Sequence, residues 1–249
     1  MDVPSLAEFQ SSLTTFRTRL EAFVAYPAGI VKGEGKITGS AFFPGGDGLV
    51  YPRTDRVPDI VVVGHDFGSL CTYEKARSDG AEDIEVRTWG NLRSLLHDAG
   101  IADERCYFTN AFVGYREHGP DHGKYPARRE VANVKSPFRL FCQELLREQL
   151  EAIRPRAVIV LGRYPARFLA SVFTNDLPAW RTLKKFEQYD AMRPQILSLR
   201  VKDREQPAKV GLLAHPSLPN NWRRKYEHPM RGVLSGRDAE IALLRKMLT

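Results

Sequence analysis

Leu6, Phe9, Leu13, Phe16, Leu20 and Phe23 recur at alternating steps of three and four, which places one apolar stripe along a helix. Ser5 and Glu8 form a capping box at its start, and Gly29 follows its end. A heptad-like stripe serves dimerisation or packing on its own domain. Its short length favours packing, because coiled coils sustain several heptads. Four short apolar runs come later, at 60–63, 106–109, 157–161 and 210–214. None alternates strictly between apolar and polar, as expected of strands covered on both faces. Helical patterns lie between and after them. One spans 89–99 and ends at Gly100. One spans 137–153, with Ser136 as cap and Pro137 in the first turn, and stops before Pro155. A third spans 165–173, and the last, 236–248, has Ser235 as cap with Asp238 in its first turn. Strand–helix alternation predicts an α/β fold: a three-layer α/β/α sandwich around a central, mainly parallel four-stranded sheet.

Residues 31–58 interrupt this pattern with glycine, proline and charge and short β-like pieces such as Ala41-Phe-Phe. They read as an extended excursion or hairpin, not a separate domain. Residues 1–249 are therefore expected to form one domain, with 1–30 as its N-terminal helix, and that length can bury a sizeable core. The net charge of +7 changes the picture more than the ordinary hydrophobic (43%) and charged (27%) contents do. It favours a polyanionic partner, nucleic acid before an anionic membrane. Cys71, Cys106 and Cys142 lie far apart with no C-x-x-C pair, which gives no support to a metal or iron–sulfur site and suggests a reducing, cytoplasmic setting. No signal-peptide pattern or membrane-spanning run is present, so no membrane association is expected, and a monomer is the simplest assembly.

In parallel sheets ligands bind beyond the carboxyl ends of the strands. The segment Asp59-Ile-Val-Val-Val-Gly-His-Asp-Phe-Gly-Ser69 ends its strand with His65 and Asp66. Val210-Gly-Leu-Leu-Ala-His-Pro-Ser-Leu-Pro-Asn220 ends with His215, and Asn110 closes the strand at 106–109. These groups are expected to share one cleft. Taken singly, Asp66 reads as a turn cap, His215 as a hydrogen-bonded core histidine and Asn110 as a turn residue.

In combination they resemble the uracil-DNA glycosylase superfamily. Gly64-His-Asp-Phe-Gly-Ser69 is similar to the family's first motif, Gly-Gln-Asp-Pro-Tyr. Thr109-Asn-Ala-Phe-Val113 is similar to the strand ending in its base-reading asparagine, and His215-Pro-Ser-Leu-Pro219 to its second motif. Ile153-Arg-Pro-Arg-Ala-Val-Ile-Val-Leu-Gly162 resembles its third-strand signature. The resemblance implies a metal-independent, cofactor-free glycosylase acting on uracil in single- or double-stranded DNA by base-excision chemistry. Asp66 would stabilise the oxocarbenium-like sugar and orient water. His215 would donate to the leaving base. Asn110 would accept from uracil N3–H and donate to O4, a pattern that cytosine inverts. A base must leave the duplex to reach such a cleft, and the resemblance makes Leu218 the wedge that holds it out. The loop Asn220-Asn-Trp-Arg-Arg-Lys-Tyr226 mixes basic and aromatic residues, so Ser217, Arg223, Arg224 and Lys225 are candidate phosphate contacts. A solvated basic loop is the plainer account of the same residues.

The chain departs from the family pattern at three places. Gly68 stands where a tyrosine excludes the thymine methyl. Phe67 replaces a proline, and either fills that space or stacks on the base, with Tyr73 and Trp89 as other aromatic candidates. His65 replaces a glutamine, where it tunes Asp66, contacts the base or lines the pocket. Family members with an iron–sulfur cluster carry four cysteines, which places this chain outside that branch. No lysine occupies a position for a Schiff base; Lys75 and Lys225 do not match one. Three competing classes remain: a DNA-binding protein that keeps the fold without the chemistry, a metal-dependent hydrolase using His65, Asp66 and His215, and a serine hydrolase, which lacks a G-x-S-x-G elbow.

Overall fold

A computed structural model describes residues 3–32, 55–80, 82–118, 135–217, 224–228 and 230–249. In chain order the helices are α1 (Leu6–Ala22), α2 (Leu70–Asp79), α3 (Arg87–Asp98), α4 (Pro137–Ile153), α5 (Arg163–Val172), α6 (Phe186–Asp190) and α7 (Gly236–Leu248). The strands are β1 (Ile30–Val31), β2 (Ile60–Gly64), β3 (Cys106–Asn110), β4 (Tyr115–Arg116), β5 (Ala157–Leu161), β6 (Leu197–Leu199), β7 (Ala208–Leu213), β8 (Lys225–His228) and β9 (Gly232–Ser235).

The central sheet has five strands in the order β3-β2-β5-β7-β6. The first four are parallel and coincide with the four apolar runs. The fifth, β6, pairs antiparallel with β7 at the edge and corrects the four-stranded expectation. It is only three residues long and half in water, so it leaves no apolar run in the sequence. Alternate strand residues feed two cores. Val61, Val63, Val158, Val160, Val210 and Leu212 face α1, α2, α4 and α5. Ile60, Val62, Ala157, Ile159, Leu161 and Leu213 face α3 and α7. The result is a three-layer α/β/α sandwich whose strands are apolar on both faces because both faces are covered.

The stripe of α1 packs on its own molecule: Phe9, Leu13 and Phe16 are buried, and α1 lies against α4. The Ser5–Glu8 capping box forms as expected. Ser136 and Ser235 occupy the N-cap positions of α4 and α7, but neither side chain makes a capping bond. Helix α2 and the β8–β9 hairpin were not anticipated. Only Tyr73 and Ala76 of α2 are buried, too few for a readable stripe. The excursion expected at 31–58 lies mostly outside the described residues.

Candidate active site

Strand β2 ends at Gly64, and the following turn carries His65 and Asp66. The Asp66 side chain is 3% exposed. Its Oδ1 accepts from the Gly68 amide (2.9 Å) and from Arg116 Nη2 (3.0 Å). Its Oδ2 accepts from the same Nη2 (2.9 Å) and from His65 Nδ1 (2.9 Å). Burial is the strongest single influence on this carboxyl and pushes its pKa up. The hydrogen bond and charge of His65, the Arg116 guanidinium and the Gly68 amide together outweigh it and hold the group below the usual carboxylate range. Gly68 closes the turn at φ 80°, a left-handed conformation that side-chain-bearing residues rarely adopt. The backbone of this turn therefore calls for glycine where the family resemblance has tyrosine.

Strand β3 runs in register with β2, so Asn110 ends level with Gly64, and it is 4% exposed. The chain then doubles back along the Asp66 turn. Ala111 donates to Gly64 O (3.0 Å), Phe112 to His65 O (3.0 Å) and Arg116 to Gly68 O (2.9 Å). This strap sets the Phe112 ring edge-on to His65, with centroids 5.7 Å apart, and delivers Arg116 to Asp66. It passes close over the β1 region at Gly114, where a Cβ would stand 2.5 Å from Ile30 Cγ2 and 3.2 Å from the Tyr26 ring.

His215 follows β7 two strands away, about 10 Å across the sheet from the β2 end at ordinary strand spacing. Ala214 N–H, just before it, donates to the buried Glu240 Oε1 (2.7 Å), and Asn91 Nδ2 donates to Pro216 O (2.8 Å), which fixes the His-Pro-Ser turn. The Ser217 amide donates to His215 Nδ1 (3.3 Å), and Ser217 Oγ lies 2.8 Å from the same nitrogen. A ring that accepts at Nδ1 carries its proton on Nε2 when neutral. Burial, then the charge of His65, depress the His215 pKa against the opposing pull of Asp66, so the neutral ring is favoured. Between the two strand ends, β5 closes at Gly162 (φ 94°), whose Cβ would come 3.8 Å from His215 Cβ. The strand ends thus carry an ionised carboxylate after β2 and a neutral imidazole after β7, with glycine at the end of β5 between them.

A family model described as the uracil DNA glycosylase superfamily matches residues 87–235, more than half of the chain. The chain belongs to the uracil DNA glycosylase superfamily. The superfamily match takes in Asn110 and His215 and begins beyond the Asp66 turn, so the turn rests on geometry and resemblance alone. The Type-4 uracil-DNA glycosylase of Archaeoglobus fulgidus is 32% identical over 82 residues, which cover 33% of this chain and 35% of that protein. The aligned stretch therefore spans about a third of the relative's length.

Several expected site residues of this superfamily member fall elsewhere. Phe67 is buried in the core against Tyr115 (5.5 Å), not placed to stack on a base. Tyr73 packs on Tyr115 (4.4 Å) and Trp89 on Phe108 (4.9 Å), both in the interior. Arg224, expected as a phosphate contact, is 3% exposed and binds Asp190 and Glu240, each at 3.0 Å. Its guanidinium is committed to two interior carboxylates. Ser217 is half-buried and holds His215, while Lys225 is exposed at the start of β8. Leu218 and Arg223 lie outside the described residues. Among the described residues, no three His, Cys, Asp or Glu side chains form a group fit for a metal ion. Cys106 and Cys142 are buried in different cores, and Cys71 is exposed. No described helix is long and apolar enough to cross a membrane. Sequence reasoning missed Arg116, Phe112 and Glu240. Phe112 was visible as an aromatic two places after Asn110, but no spacing rule joins Arg116 to Asp66 or Glu240 to Ala214.

Proposed function

We propose that this protein hydrolyses the N-glycosidic bond of uracil in DNA and leaves an abasic site, as a monofunctional, metal-independent glycosylase. The observation that carries the reading is the placement of the ionised Asp66 and the neutral, Ser217-held His215 at strand ends on either side of Gly162. As the bond between C1′ and N1 breaks, positive charge grows on the sugar and negative charge on the base. The Asp66 carboxylate stabilises the first, and the His215 Nε2–H donates to the base carbonyl that takes up the second. Asn110 reads the base by accepting from N3–H and donating to O4. Lys75 is exposed on α2 and Lys225 on β8, and neither is proposed as an amine nucleophile. The substrate is a base turned out of DNA, with Leu218 as the wedge and Arg223 and Lys225 as phosphate contacts.

The deciding experiment is release of free base from oligonucleotides carrying uracil, thymine opposite guanine, hypoxanthine or xanthine, single- and double-stranded. Uracil release is expected, and Asn110→Ala should slow it by about 10- to 100-fold, the loss of one buried hydrogen bond or more. No base released from any member of the panel would overturn the reading. Thymine belongs in the panel because Gly68 has no side chain and Phe67 packs inward on Tyr115, so neither of these two residues sets a barrier to a 5-methyl group. The Arg116 guanidinium against Asp66 favours a second reading, a DNA-binding member without chemistry, since it offsets the carboxylate's field at the sugar. That protein would bind DNA in a salt-sensitive way without forming abasic sites.

A further inference from the structure

Glu240 is a charged residue on an apolar face. On α7 it shares the buried side with Gly236, Leu243, Leu244 and Met247, and its side chain is 2% exposed. A carboxylate in such a place is costly unless it is paired and hydrogen-bonded. Its Oε1 accepts from the Ala214 amide (2.7 Å) and from Arg224 Nη1 (3.0 Å). These two residues stand at either end of the segment 215–223, which begins with His215.

From this geometry we infer that Glu240 is a positioning residue for base release: one of its oxygens holds both ends of the segment that carries His215, and so sets where the imidazole stands. The role rests on the glycosylase reading, in which His215 donates to the departing base. At the near end, the Ala214 amide is the backbone donor just before His215, and Asn91 Nδ2 holds Pro216 O just beyond it (2.8 Å). At the far end, Arg224 Nε donates to Asp190 Oδ1 (3.0 Å), and Arg224 O accepts from the Gly236 amide (2.8 Å). The next amide, that of Lys225, donates to Asp190 Oδ2 (2.9 Å). Gly236 and Glu240 lie about one turn apart on α7. One face of one helix therefore carries both ends of the segment.

Stability alone does not call for this arrangement. Replacing a buried ion pair by apolar groups of similar size is often neutral or stabilising, and a leucine at position 240 would continue the apolar stripe of α7. What the carboxylate adds is a shared acceptor. Ala214 and Arg224 meet on one atom, so a shift of either end disturbs the bond made by the other. Ser217 holds His215 at Nδ1 from within the same turn, which fixes the ring but not the place of the turn on the sheet. Glu240 supplies that second anchor. It acts through the backbone before His215 and takes no part in the proton transfers themselves.

The test compares wild type, Glu240→Gln and Glu240→Leu in single-turnover uracil release per folded molecule, in denaturant melts and in the nitrogen NMR shifts of the His215 ring. The glutamine oxygen keeps an acceptor for Ala214 and Arg224 without the charge, whereas leucine keeps the size and offers no acceptor. We expect Glu240→Leu to lose about 100-fold in rate, the scale of a catalytic group displaced by about 1 Å, and its His215 shifts to leave the wild-type values. Glu240→Gln should melt earlier, because Arg224 loses a charged partner, yet keep most of its rate and the wild-type His215 shifts. A merely structural role would leave the rate per folded molecule unchanged in both. Glu240→Leu at the wild-type rate, or Glu240→Gln as slow as Glu240→Leu, overturns the assignment and leaves the glycosylase reading standing. Should Glu240→Leu fail to fold, Arg224→Met takes its place: it leaves Ala214 its acceptor but releases the far end, and an undiminished rate per folded molecule overturns the role equally. No uracil release by wild type removes both.

Discussion

Replacing Asp66 with asparagine is expected to cut the single-turnover rate of base release by about 10³-fold, on the scale of removing one aligned electrostatic group, and to destabilise the fold as well. Two donors, Arg116 Nη2 and His65 Nδ1, meet at Asp66 Oδ2. An amide can satisfy Gly68 and one Arg116 contact through its oxygen, but its NH2 then confronts donors. The Arg116 side chain, 6% exposed, also loses its opposite charge. Breaking a buried pair by removing one partner costs about 3–5 kcal/mol. The pH dependence fixes the sign. Asp66 titrates below its unfolded value, so its stabilisation is present above the ordinary carboxylate range and is lost as pH falls through the lower folded-state value. The gap between wild type and Asp66→Asn in denaturant melts should therefore be widest near neutrality and close on acidification. A gap that stays constant with pH would show that the ion pair is not its source.

Arg224→Met should be the other large effect, and it separates an interior role from a DNA contact. The guanidinium bonds Asp190 and Glu240 and lies over the rings of Phe186 (5.0 Å) and Tyr189 (5.1 Å). Methionine leaves both carboxylates, 8% and 2% exposed, without their shared cation. A loss of about 3–5 kcal/mol follows. Burial already raises the Glu240 pKa against the lowering pull of Arg224 and the Ala214 amide. Without Arg224 it rises further. A carboxyl raised in the fold binds its proton more readily than in the unfolded chain, so its stability contribution falls as pH rises through the folded-state value. The defect in Arg224→Met should thus be worst at neutral and higher pH and shrink on acidification. Because Glu240 also holds Ala214, base release should weaken through His215. The salt slope of DNA binding should stay the same, whereas Lys225→Ala, at an exposed position, should reduce it by about one. A reduced slope in Arg224→Met with normal stability would restore Arg224 to the DNA surface.

These two residues show where legibility ended. Asp66 stood out because a buried-type strand, Ile60 to Val63, stopped at Gly64 and exposed an acid, and His215 stood out for the same reason after β7. Strand ends are local events, and a short apolar run marks them without any knowledge of the fold. Arg224 was misplaced for a comparable reason: it sits in a run of basic residues, and composition alone assigns such a run to solvent. Whether one of its members turns inward depends on carboxylates 34 residues before it and 16 after it.

The sequence by itself determined the α/β class, four parallel strands with their order along the chain, the packing of α1 on its own domain, and the three groups at strand ends. Each depends on hydrophobic period, capping or turn chemistry, which act over a few residues. Only the tertiary structure decided the fifth strand, the inward turn of Phe67, the left-handed Gly68, and the closing of Arg116 and His65 on Asp66. Those depend on contacts across tens of residues, where burial and charge pairing override local preference. The carboxylate that the sequence offered as the reacting group is, once folded, an enclosed anion whose partners include a guanidinium 50 residues further along the chain.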